Sequence, residues 1–284
     1  MLYHYVSELD ARAGTANNVV VQKQLCLLTN HLKKSFALVR SRICSLVLLN
    51  QEITFDLLWV LFKPDSIVYG KCYGTEKPRG IIFDSGMVKK LDCGTEYFHI
   101  QGRYLDFNGK DFGEASTVLG ITKFSGAKRI DSLEALPLQY HPRKEAIRHE
   151  LIGCGRKFQA LMGSHHREHS GTAFLHGKTG ITRASIRGRI VVDASFFYEM
   201  NPDYTKPRFD KSKQSSSFGL WGQLEEPDKI AKPLPKPADL SDELLLVCSP
   251  TVLGFSLSIN KWRGCPLIPF EITADRFYRS GICR

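Results

Sequence analysis

The sequence predicts an α+β fold: a helical N-terminal arm, then a β-rich core, a small partly open barrel or sandwich, with flanking helices. Three observations carry this. Leu25, Leu28, Leu32, Phe36, Val39, Ile43 and Leu46 recur at steps of three and four, the spacing of one helix face. From Ile53 onward the apolar runs shorten to "SIVYG", "RGIIFD", "EYFHIQGRYLDFNGKDFG" and "STVLGITKF", and Gly-rich punctuation between short runs marks closely spaced strands. A helical period returns in "YHPRKEAIRHELIGCGRKFQALMG", where Ile147, Leu151, Cys154, Phe158 and Leu161 share a face.

The arm spans residues 1–50. Lys23, Lys33, Lys34, Arg40 and Arg42 lie off its apolar stripe, so the helix is expected to pack on a core, with a coiled-coil contact as the alternative. Residues 53–200 are expected to form a β-rich accessory domain with a helix near 142–161. Its first block, "ITFDLLWVLF", closes at Pro64 because the residue before proline avoids helical backbone. Asn108-Gly109 predicts a two-residue hairpin turn, since both residues tolerate positive φ. Pro142 stands where a first-turn proline would. Gly153 and Gly155 each cost ~1 kcal/mol against alanine, which weakens that helix and leaves room for a break there. "RIVVDASFFYEMNP" reads as a strand, a cap at Asp193 and a short helix stopped by Pro202.

Residues 201–242 hold six of the thirteen prolines, and with "KSKQSSS" they read as a linker, part flexible and part extended. The "FGLWG" inside it is either a docking motif or incidental. Residues 243–262 read as an apolar strand-turn segment, and 263–284 as an atypical tail.

Composition narrows the class. With 43% hydrophobic and 24% charged residues the chain has the balance of a soluble globular protein. No run approaches the ~18 apolar residues of a membrane span, and "MLYHYVSELD" lacks a basic region followed by an apolar one, so no membrane partner and no secretory signal are expected. The eight cysteines form no Cys-x-x-Cys pair; reduced, mostly buried thiols are expected, in an intracellular setting, cytoplasm or nucleus. The net charge is +10, and residues 120–213 carry 17 Lys/Arg against 9 Asp/Glu. That region reads as a solvated basic face, or as a surface for phosphates or an acidic partner.

Three places look like chemistry. "FLHGKTG" ends like a phosphate-binding loop, but Gly-x-x-x-x-Gly-Lys-Ser/Thr needs its first glycine where Thr172 stands, a buried strand before and a helix after. Gly177-Lys178-Thr179 therefore reads as a basic turn. His165, His166 and His169, with Glu168 among them and His176 beyond, could ligate a metal from one helix face. The bracketing Gly163, Ser164, Ser170 and Gly171 predict a polar loop with solvated histidines instead. Cys248 in "VCSP" has no local histidine or acid to activate it. No catalytic, cofactor-binding or metal residue is expected, and no cofactor.

Several stretches, in order, resemble a known family: "LYHYVSELDARA", "FDLLWVLFKPDSIVYG", "YLDFNGKDFGEA", "ITKFSGAKRIDSLEALPLQYHP", "LIGCGRKFQALMGSHHREHSGTAF", "RIVVDASFFYEMNP" and "LLLVCSPTVLGFSLSINKW". Together, over roughly residues 2–262, they are similar to the domain of unknown function that precedes the ATPase module in a large fungal family of AAA+ ATPases. There, the "CSPTVLGFSLSINKW"-like segment leads into the ATPase module. Here "RGCPLIPFEITADRFYRSGICR" follows, so a shifted frame, retained intron or truncation past Trp262 is expected, leaving the apolar 243–262 segment short of neighbours. The resemblance implies a non-catalytic accessory region, recruiting a partner or substrate or docking onto the ATPase ring, with a protein partner or the ATPase module as its expected contact. The alternative is a stand-alone nucleic-acid-binding module using the basic 120–213 region; a His-dependent metalloenzyme is a third.

Overall fold

A computed structural model describes residues 2–16, 18–177, 180–202, 207, 237–258, 260–266 and 273–274. Helices and strands mix as an α+β fold. The greater part of the expected linker (201–242), with "FGLWG", and most of the 263–284 tail lie outside the described residues.

The arm is built from α1 (Val6–Thr15), α2 (Val19–Ser35) and α3 (Ala37–Ile43), the last running into a wider π-type turn at Cys44–Leu49. Asn18 starts α2, its side chain accepting a bond from the Val20 amide at 2.9 Å, which satisfies one of the first-turn donors. The apolar stripe is used in two halves. Leu25, Leu28, Leu32 and Phe36 pack on Val6 and Leu9 of α1, while Val39, Ile43 and Leu46 pack onto the core around Ile53 and Leu58. The arm thus folds back on its own chain. Phe36, Tyr3 and Trp59 meet edge-on at the joint.

After β1 (Glu52–Thr54) and the short helix α4 (Leu58–Leu61) comes an antiparallel sheet of β2 (Ile67–Lys71), β3 (Pro78–Lys90), β4 (Glu96–Phe107) and β5 (Phe112–Thr122). A short β6 (Ala127–Arg129) pairs with β1, and β7 (Leu136–Pro137) closes the sheet in the order β5-β4-β3-β2-β7. Strand alternation sorts the residues. Ile81, Phe83, Phe98, Ile100 and Ile121 face Leu57, Leu58, Leu61 and Phe62, while Ile67, Tyr69, Ile82, Leu105 and Phe107 face a second core. The β4–β5 loop differs from expectation. Phe107 pairs with Phe112, leaving four loop residues, and the Asn108 side chain accepts from the amides of Lys110 and Asp111 at 3.0 and 2.8 Å. An Asn side chain that satisfies two amides stabilises the longer loop. Gly109 takes φ +92°, and its missing Cβ would fall 2.3 Å from the Ser195 backbone.

The second core lies between that sheet and α5 (Lys144–Ala160), which runs unbroken through the two glycines that weaken it. A Cβ on Gly155 would lie 2.3 Å from the Leu245 carbonyl oxygen. The glycine is there for close approach, and tertiary packing outweighs its helix cost. A second sheet follows, from β8 (His165–Gly177), β9 (Gly180–Val192), β10 (Thr251–Ser256), β11 (Lys261–Pro266) and β12 (Thr273–Ala274). Because β11 also pairs with β8 at Gly264 and Phe174, four of its strands curl into a ring. Between β9 and β10 lie α6 (Ala194–Met200), capped by the Asp193 side chain as the sequence predicts, and α7 (Asp242–Leu245).

The apolar 243–262 segment has its neighbours. The Leu105 amide donates to the Val247 carbonyl, and the Ser249 amide to the Leu105 carbonyl, both at 2.8 Å. Leu245, Leu246, Val247 and Cys248 are buried, wedged between Gly155 of α5 and Gly80 of β3, where a Cβ would meet the Leu246 carbonyl oxygen at 2.3 Å. Glu243 and Asp242 pair with Arg148 and Arg156 of α5. This corrects the expectation of an under-packed strand: the segment straps α5 to the first sheet, then completes the second.

Candidate functional site

The residues that looked like chemistry take structural places. Gly177 pairs with Gly180 across the β8–β9 hairpin; Lys178 and Thr179 between them lie outside the described residues. A strand follows, where a phosphate-binding loop needs a helix N-terminus. "HHREH" is strand rather than the expected polar loop, so period-two alternation puts His165 and His169 on one face and His166 on the other. His169 is buried, and burial pushes its pKa down. The His165 ring bonds the Met162 carbonyl at 2.8 Å. The His176 side chain lies outside the described set. Among the described residues no three His, Cys, Asp or Glu side chains gather as metal ligands. Burial pushes the Cys248 thiol up to about 12; such a thiol is protonated and unreactive at neutral pH.

The geometry gathers other groups. Arg103 of β4 reaches Asp65 at 2.7 Å, Glu114 at 3.2 Å and also Asp84. A register shift between Phe83 and Ser85 lies at Asp84, and bulges re-aim side chains. The Arg103 side chain is only 19% exposed, and the carboxylates hold its pKa up against burial. Burial raises Glu114, with Arg103 opposing. No local signal marks this cluster, since its members come from a loop and three strands.

A second cluster begins at the next strand position. The Tyr104 hydroxyl donates to Asp106 at 3.1 Å, the Phe107 amide donates to the same carboxylate at 2.9 Å, and Arg79 lies 4.0 Å over the Tyr104 ring. Burial pushes Asp106 from 3.8 to about 6 and raises Tyr104. With the folded pKa raised, the charged form is disfavoured in the fold. That cost is absent below the unfolded value and grows as pH rises through about 6. Asp106→Asn is therefore expected to raise stability at pH 7.5 by up to about 3 kcal/mol, with the gain vanishing near pH 3.5. Urea unfolding at the two pH values checks this.

Among the described residues, two surfaces stand exposed. On the outer face of β9, Arg187 and Arg189 are exposed, with Ser170 and Glu168 of β8 as cross-strand neighbours. Arg183 on the same strand is tied to Glu76 at 2.8 Å. On the first sheet, Met87 and Val118 are 50% and 52% exposed, beside half-buried Tyr97, His99 and Gln101.

Residues 46–142 match a domain of unknown function, DUF7025. The match takes in the first sheet, the β1–β6 ladder and α4, and ends before α5. Both polar clusters and the exposed sheet face belong to the DUF7025 segment, while the strap and second sheet lie beyond it. No curated protein and no solved structure matches the chain. No helix among the described residues is long and apolar enough to cross a membrane.

Proposed function

We propose that this chain acts as a non-catalytic accessory region of an AAA+ ATPase-like protein, of the fungal kind its landmarks resemble, recruiting a partner or substrate or docking onto the ATPase ring. What carries it is that the family-like landmarks supply residues to each of the three hydrophobic cores: Val6 and Leu9 in the arm, Leu58, Val68 and Ile121 in the core of the DUF7025 segment, and Leu151, Ile190 and Val247 in the core behind it. Landmarks scattered through a sequence that all serve as core residues support a single inherited unit. The charged clusters bind strand to strand, which supports a framework role for them. Calorimetric titration with magnesium ATP tests the non-catalytic part: no saturable heat is expected, and micromolar binding abolished by Lys178→Ala would contradict it.

A second reading, nucleic-acid binding, has its own observation in exposed Arg187 and Arg189, two positions apart on one strand face. If they meet phosphates, log-affinity for single-stranded DNA falls steeply with log salt, and each Arg→Ala change lowers that slope by about 1. Fluorescence anisotropy across a salt series decides; a slope unchanged in the double variant removes this reading.

A further inference from the structure

Among the described residues the β5 strand is the long edge of the first sheet and pairs with β4 alone. Its ladder to β4 is regular over all eleven residues from Phe112 to Thr122, and among the described residues no backbone group reaches its other side. Natural edges are blunted by lysine, proline, bulges or shortness. The strand "FGEASTVLGIT" has none of these, and its one acid, Glu114, is engaged by Arg103.

The printed ends of the ladder fix which groups point outward. The Asn108 amide bonds the Asp111 carbonyl and the Lys123 amide bonds the Glu96 carbonyl, so with Phe107 opposite Phe112 the odd-numbered residues from Gly113 to Ile121 bond β4. The amides and carbonyls of Glu114, Ser116, Val118, Gly120 and Thr122 therefore face the open edge.

We propose that this edge pairs with the β5 strand of a second copy of the chain, antiparallel about a two-fold axis at Thr117. Three features favour that occupant. The axis falls at a residue whose own bonds go to β4, so Ser116 of each copy exchanges bonds with Val118 of the other. The register sets Glu114 opposite Gly120, with no like charges opposed. It also sets Asp111 of each copy opposite Lys123 of the other, adding a second carboxylate beside a lysine that pairs with Glu96 in its own chain, a charge match made twice by symmetry. Moving the axis by one residue either way sets Asp111 against Ile121, or Lys123 against Gly113, and loses both matches. An isologous contact of this kind is self-complementary and closes at two.

Sedimentation equilibrium of the full chain over a range of concentrations tests this. A reversible monomer–dimer equilibrium is expected. Val118→Pro removes an edge-facing amide while leaving the β4 ladder intact, and proline is tolerated on strand edges; it should weaken the dimer at least tenfold. Lys123→Asp should also weaken it, and adding Asp111→Lys should restore it by re-forming the opposite-charge pair. A chain that stays monomeric throughout, leaving the edge to some other segment, overturns the proposal. So does a dimer indifferent to Val118→Pro in a variant that keeps its circular dichroism, or a double charge variant no tighter than Lys123→Asp.

Discussion

Gly155→Ala and Gly80→Ala are each expected to cost about 3 kcal/mol or more, enough to melt the protein well below its parent. The Cβ added at either position would lie 2.3 Å from a backbone carbonyl oxygen, of Leu245 or Leu246 respectively. A flexible side chain could swing aside; these backbone atoms are held by α7 and by the bonds between Leu105, Val247 and Ser249. Relief requires α5 or β3 to separate from the strap, loosening the packing of Leu151, Phe158, Leu246 and Val247, which are all buried. Each such side chain contributes roughly 1.5–3 kcal/mol when fully buried. At Gly155 the ~1 kcal/mol gain in helix propensity opposes the clash and loses. Gly153 supplies the internal control: nothing lies within 4 Å of its added Cβ, so Gly153→Ala should stabilise by ~1 kcal/mol. Chemical denaturation of the three variants ranks them. Equal stability of Gly153→Ala and Gly155→Ala would contradict the close-approach argument.

Arg103→Met is expected to be nearly as severe at neutral pH. It keeps the aliphatic stem but leaves Asp65, Asp84 and Glu114 facing one another without their cation. Breaking a buried ion pair by removing one partner costs about 3–5 kcal/mol. Asp65 here is 53% exposed and the other two acids 29% and 28%, so water screens part of the repulsion and about 2–3 kcal/mol is expected. The pH dependence separates this from lost packing. Burial already disfavours the charged form of Glu114, so it takes up its proton as pH falls, the repulsion fades and the deficit should shrink on acidification. A deficit equal at pH 7 and pH 3.5 would mean that Arg103 acts through its stem alone.

Local periodicity made much of this fold legible. The stripe from Leu25 to Leu46, the α5 face from Ile147 to Leu161 and the Asp193 cap depend on residues within a few turns of one another, and all appear where the pattern places them. What failed depended on distant partners. "HHREH" looks like a loop by composition, yet thirteen-residue pairing with β9 makes it a strand, a contact that its own residues do not announce. Gly155 reads as a helix breaker until the Leu245 carbonyl is set beside it. The Arg103 cluster was illegible for the same reason: a loop and three strands supply its four side chains, and a bulge at Asp84 brings one of them round. Segment 243–262 shows no neighbours in the sequence because its partners, Gly80, Leu105 and Gly155, lie some 90 to 165 positions upstream.

The accessory role is tested most directly by ATP turnover of an isolated ATPase module, taken from a fungal AAA+ protein whose own N-terminal region carries the same landmarks. Phosphate release is followed as this chain is titrated in, with the chain alone as blank. The expected result is a saturable change in the module's turnover, up or down, with none from the chain alone and the change lost in Gly155→Ala, whose fold is disrupted. Turnover by the chain itself, or a module rate that never changes while sedimentation shows no association, would contradict an accessory region that docks onto an ATPase.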